Sequence, residues 1–135
     1  MGKTLSLVYT HLIFSTKNRE PSLGEELRER LWRYLGGICN DMDCPPVQIG
    51  GTADHIHILC ILSRECSLGE LVKVLKSKSS SWIKSLAPEY SNFFWQTGYG
   101  VFSVNPQEKK IVTEYIRNQA EHHKKRSFRK NFWFF

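Results

Sequence analysis

The sequence predicts an α+β fold: a ferredoxin-like (RRM-like) antiparallel sheet of order β-α-β-β-α-β, with a further helix added on the C-terminal side. Three observations predict it. Residues 5–14 and 56–62 alternate like strands yet are apolar on both faces, as central strands are. Two helical stretches open on Ser-x-x-Glu capping boxes, each lying between strand-like runs. A third helix start follows the last strand, outside the six-element pattern.

The elements follow in order. The first strand, 5–14, carries Leu5, Leu7, Tyr9 and Ile13 on one face and Val8, Leu12 and Phe14 on the other. Ser22 and Glu25 form a capping box for a helix over 23–37. Along it Leu23, Leu27, Leu31, Leu35 and Ile38 recur at helical spacing, and Gly36-Gly37 weakens the end. Cys44-Pro45-Pro46 breaks the chain, and 47–49 and 56–62 read as a hairpin around Gly50-Gly51. Ser67 and Glu70 cap a second helix with Leu68, Leu71, Val72, Leu75, Trp82 and Leu86 on one side, stopped by Pro88. Residues 99–104 read as the last strand. Asn105 then caps a helix with Pro106 at its first position, running to about residue 125.

A chain of 135 residues is one domain, 1–135, with a basic and aromatic tail from about residue 126. Its 19 Lys and Arg outweigh 13 Asp and Glu, a formal charge of +6, which suits a nucleic-acid partner but is shared by many basic proteins. No apolar run approaches the roughly 18 residues of a membrane span. The N-terminus lacks a signal-peptide pattern, so a cytoplasmic location is expected. Cys39, Cys44, Cys60 and Cys66 show no C-x-x-C spacing and are expected to be free thiols.

The chemistry concentrates in two segments. In Asp54-His55-Ile56-His57, alternation points His55 and His57 to one face and Ile56 and Ile58 to the other. Two imidazoles about 6–7 Å apart along a strand can reach one metal ion. An isolated H-x-H is more often a satisfied pair on a sheet surface, but apolar flanks make this strand central. Cys60 falls on the Ile56/Ile58 face, so it is a poor third ligand. In the last helix Tyr115 and Gln119 are four apart, sharing a face with Ile111 and His122. A lone Y-x-x-x-Q is usually a core tyrosine with a solvated glutamine.

The combination and order of these segments resemble the single-tyrosine HUH transposases of small prokaryotic insertion sequences, which move as single-stranded DNA. The resemblance also covers His11-Leu12-Ile13-Phe14-Ser15-Thr16-Lys17-Asn18-Arg19, Gly98-Tyr99-Gly100-Val101-Phe102-Ser103-Val104, and the run from Tyr115 through His122-His123. It implies that His55, His57 and Gln119 hold a divalent metal, Mg2+ or Mn2+; imidazole ligands favour manganese by softness. It implies that Tyr115 attacks single-stranded DNA at hairpin-bearing element ends, leaving a 5′-phosphotyrosine and a free 3′-OH. It further implies a homodimer in which the tyrosine helix of one subunit can serve the histidine pair of the other. His122 and His123 are general-base candidates by position alone.

Basic residues supply candidate DNA contacts. Lys73, Lys76 and Lys84 share the outer face of the second helix with Ser77 and Ser80; Lys17 and Arg19 follow the first strand; Lys124, Lys125 and Arg126 open the tail. A solvated helix face explains the helical stripe equally well. The apolar end, 131–135, is expected to pack back on the domain or across a dimer, with stacking on DNA bases as the alternative. Two other readings compete: a non-catalytic nucleic-acid-binding ferredoxin-like module, and a repurposed, inactive transposase. The module predicts binding without cleavage and leaves His55, His57 and Tyr115 unexplained.

Overall fold

The computed structural model describes residues 2–119. Its strands are β1 (Tyr9–Ser15), β2 (Pro46–Gly51), β3 (His55–Ile61) and β4 (Gly100–Val104). They form one sheet in the order β2-β3-β1-β4, with every neighbouring pair antiparallel. With α1 (Glu25–Asp41) and α2 (Leu68–Leu86) as the two crossovers, this is the ferredoxin-like arrangement. A third helix, α3 (Lys109–Arg117), follows β4. Among the described residues no helix is long and apolar enough to cross a membrane.

The sheet separates two apolar clusters. Leu12, Phe14, Ile56, Ile58 and Cys60 project from β1 and β3 against Leu27, Leu31, Leu35, Leu71, Leu75 and Ile83 of α1 and α2. The opposite face carries Tyr9, Leu59 and Val104, which meet Ile116 and Val112 of α3. All four cysteines are free, with Cys39, Cys44 and Cys60 in the larger cluster.

Several boundaries differ from the sequence expectation, each for a physical reason. The first strand begins at Tyr9, and Leu5 is 95% exposed. Tyr9 pairs with Ile61, the last residue of β3, and Val104, the last of β4, and the pairing ends one bond earlier, where the Val8 carbonyl accepts from Leu62 N–H at 2.8 Å. Ser22 does not cap α1: Gly24 is the N-cap, and the Ser22 hydroxyl donates to the Glu20 carbonyl. α1 runs through Gly36-Gly37 to Asp41, because Ile38 and Cys39 continue its buried stripe. Gly50 and Gly51 lie in β2, and Thr52–Asp54 make the turn. Ser67 does cap α2: Glu70 N–H donates to Ser67 Oγ at 3.1 Å. Asn105 Oδ1 accepts from Gln107 N–H at 2.9 Å, starting a short 3-10 turn, Pro106–Glu108, that leads into α3.

Ile111 is not on the buried face with Tyr115. It is 68% exposed, and α3 turns Val112, Tyr115 and Ile116 toward the sheet instead. The extension of this helix to about residue 125, His122, His123, Lys124, Lys125, Arg126 and the tail lie outside the described residues.

Candidate active site

Alternation along β3 puts His55, His57 and Leu59 on the face that α3 covers. On β1 the same face carries His11 and Ile13, since Ile13 pairs with His57 and His11 with Leu59. α3 approaches closely because Gly50, paired with His57 on β2, has no side chain: a Cβ there would meet the Ile116 carbonyl oxygen at 2.5 Å. Tyr115 and Gln119, one turn apart, therefore face the histidine pair. The Tyr115 ring lies 5.6 Å from the His57 ring, edge to face, and 6.5 Å from His11. Gln119 is buried, and its Oε1 lies 3.2 Å from His55 Nε2.

Each histidine has a partner behind it. His55 Nδ1 is 2.7 Å from Asp54 Oδ1 and 2.9 Å from Thr52 Oγ1. Burial would raise the Asp54 carboxyl, but the hydrogen bond and charge of His55, aided by Arg19, outweigh it and hold Asp54 down at about 2. Asp54 is thus a carboxylate that accepts the His55 Nδ1–H, and in the neutral form of His55 this leaves the lone pair on Nε2. His57 Nδ1 lies 2.8 Å from His11 Nε2, and the two rings are 5.0 Å apart. Burial pushes His11 down to about 4.

The donor chemistry fits a divalent cation. His55 Nε2 and the Gln119 amide oxygen lie 3.2 Å apart, a spacing bridged by a proton on Nε2 or by a cation bound to both. Imidazole nitrogen and amide oxygen are both suitable ligands for Mn2+ or Mg2+. Among the described residues no cluster of three His, Cys, Asp or Glu side chains is arranged to hold a metal, and the Gln119 amide oxygen is a further donor beside the histidines.

The basic candidates separate. Arg19 turns into the site, its Nε 3.5 Å from Asp54 Oδ2. Lys76 donates to the carbonyls of Gln96 (2.7 Å) and Gly98 (2.6 Å) and is half-buried. Lys84 and Lys17 flank the exposed Phe94 ring, their ammonium groups 4.1 and 5.7 Å from its centroid. Lys73 is exposed on α2. The sequence reading overlooked Phe94 and assigned no role to His11 or Asp54. The only signal for His11 was its parity with Tyr9 and Ile13 along the first strand.

The family model described as "Transposase IS200 like" matches residues 4–119. Transposases for insertion sequence element IS200 from Salmonella typhimurium strain LT2 and Salmonella typhi are each 30% identical, with 92% of this chain and 88% of theirs aligned. A crystal structure of a candidate transposase from Deinococcus radiodurans R1 superposes with a TM-score of 0.69 at 25% identity, covering 88% of this chain and 98% of that one. A REP-associated tyrosine transposase bound to a REP hairpin shares the fold, with a TM-score of 0.64 at 13% identity over 87% of this chain and 72% of that one.

Proposed function

The chain belongs to the IS200-like transposases, and we propose that it cleaves and rejoins single-stranded DNA at insertion-sequence ends with Tyr115 as nucleophile. The observation that carries this reading is the convergence of one phenol, two imidazoles and one amide beneath α3, with Tyr115 5.6 Å from His57 and Gln119 3.2 Å from His55.

In this reading His55, His57 and Gln119 hold Mg2+ or Mn2+. When bound, that ion supplies Lewis-acid polarisation of the scissile phosphate and charge neutralisation. The protein supplies the rest. The Tyr115 oxygen attacks phosphorus, the bond to the 3′-oxygen breaks, and the leaving 3′-oxygen takes up a proton. The products are a 5′-phosphotyrosine and a free 3′-OH. Attack by a 3′-OH on that phosphotyrosine reverses the exchange and returns the phenol, so one phosphodiester replaces another without ATP. A free phenol has a pKa near 10, so Tyr115 depends on its surroundings for activation.

Lys17, Lys84 and Phe94 form a basic and aromatic surface suited to a single strand: cations for phosphates and a ring for base stacking. Hairpin-containing element ends are the proposed DNA, a partner class that the REP-hairpin complex of a fold relative supports. A homodimer with exchanged tyrosine helices is proposed on family grounds.

The test is direct. Labelled single-stranded DNA carrying an element end is incubated with protein and Mg2+ or Mn2+, then run on a denaturing gel. Wild type forms a covalent adduct and Tyr115→Phe forms none. Adduct in the Tyr115→Phe protein overturns the nucleophile assignment. Binding of the cognate hairpin without any adduct points to a binding module or an inactive transposase.

A further inference from the structure

His57 is touched by a residue that the proposed chemistry does not use. His11 stands on β1, opposite Leu59 of β3 and Phe102 of β4, and is 4% exposed. It sits diagonally across the ladder from His57, within reach of a long side chain. Its Nε2 lies 2.8 Å from His57 Nδ1, with the rings tilted by 32°. Two imidazole nitrogens at that distance share one proton, so one ring donates and the other accepts.

We propose that His11 is a positioning residue: it accepts the Nδ1–H of His57 and thereby presents His57 Nε2 as the lone pair for a divalent cation. The inference rests on the ligand set proposed above. The opposite polarity, with His11 Nε2–H donating, would move the His57 proton to Nε2 and close that nitrogen to a cation. With His11 as acceptor, His57 is held in the Nδ1–H form, the less populated tautomer of a free histidine side chain.

The pair of ligands is thus oriented in two different ways. His55 donates to the Asp54 carboxylate at 2.7 Å, a charged partner at the rim of the sheet. His57 lies at the centre, fully buried, and donates to a neutral ring. A carboxylate at position 11 could accept the same proton. It would bury a further charge, which is costly, and add negative potential beside the site meant for a phosphodiester. Partners of this kind fix ring orientation and tautomer, and their loss commonly costs about 10- to 100-fold in metal affinity.

The experiment has two readouts. Nitrogen-15 NMR of the metal-free wild type should find His57 protonated at Nδ1 and bare at Nε2. A wild-type His57 carrying its proton on Nε2 overturns the inference without any variant. Mn2+ titration followed by electron paramagnetic resonance then compares His11→Leu, His11→Gln and His57→Ala, each checked for fold by circular dichroism. His11→Leu should bind Mn2+ about 10- to 100-fold more weakly. His11→Gln, whose amide oxygen can accept the same proton, should recover most of the loss. If His57→Ala weakens binding and His11→Leu does not, the positioning role is wrong while the ligand set stands. If His57→Ala binds as wild type, the ligand set itself fails and the inference falls with it.

Discussion

Gly50 of β2 and Ile116 of α3 meet backbone to backbone, so closely that a methyl group on Gly50 would sit 2.5 Å from the Ile116 carbonyl oxygen. No real Cβ tolerates that distance from a backbone atom, and α3 would have to lift. Gly50→Ala should therefore leave the α1/α2 core folded while displacing Tyr115 and Gln119 from the histidines. A shift of about 1 Å at a reacting group can cost about 100-fold in rate. Adduct formation should fall by that order, with the circular dichroism spectrum retained. Wild-type activity in Gly50→Ala would show that the helix position is not limiting.

Asp54 ties three side chains together, taking His55 Nδ1–H, the Thr52 hydroxyl and the Arg19 guanidinium. Asp54→Asn keeps an acceptor oxygen but removes the charge. The concentration of Mn2+ needed for half-maximal adduct should rise about 10- to 100-fold. Arg19→Ala should have a smaller effect, because it acts through Asp54 over 3.5 Å at a partly exposed position.

The lysines of α2 should divide by readout. Lys84→Ala should weaken single-strand binding and reduce the salt slope by about one charge. Phe94→Ala should cost about 1–3 kcal/mol of binding, the usual value of one stacked base. Lys76→Ala should instead lower stability by about 1–3 kcal/mol in urea melts, since its ammonium holds the Gln96 and Gly98 carbonyls. A Lys76→Ala protein with native stability and impaired DNA binding would reverse that assignment.

Ile58 is fully buried between the sheet and the helices. Ile58→Ala should destabilise the chain by about 2–5 kcal/mol, measured by denaturant unfolding. Adduct yield per folded molecule should stay near wild type, because Ile58 faces away from His55 and His57.

What could be read from the sequence was local periodicity. The facing of His55 and His57 follows from a two-residue repeat that any strand obeys, and Tyr115 with Gln119 from a four-residue helical step. The Ser67 cap is equally local, but the same spacing at Ser22 and Glu25 gives no cap, because the Ser22 hydroxyl donates to the Glu20 carbonyl instead. What escaped depends on partners distant in the chain. The start of β1 is decided by where β3 and β4 stop, and the place of His11 by a register that pairs Ile13 with His57. Gly36-Gly37 looked like a helix end because each glycine costs about 1 kcal/mol. Burial of Ile38 and Cys39 outweighs that cost.

Because β3 sends Ile56, Ile58 and Cys60 to one side and His55, His57 and Leu59 to the other, a mutational scan along it should oscillate residue by residue. Replacements at 56, 58 and 60 would be felt as lost cellular abundance. Those at 55 and 57 would cost transposition out of proportion to any loss of abundance. The two kinds of selection on this chain therefore act through opposite sides of one strand, so variation tolerated on the packing side places little constraint on what the other side keeps.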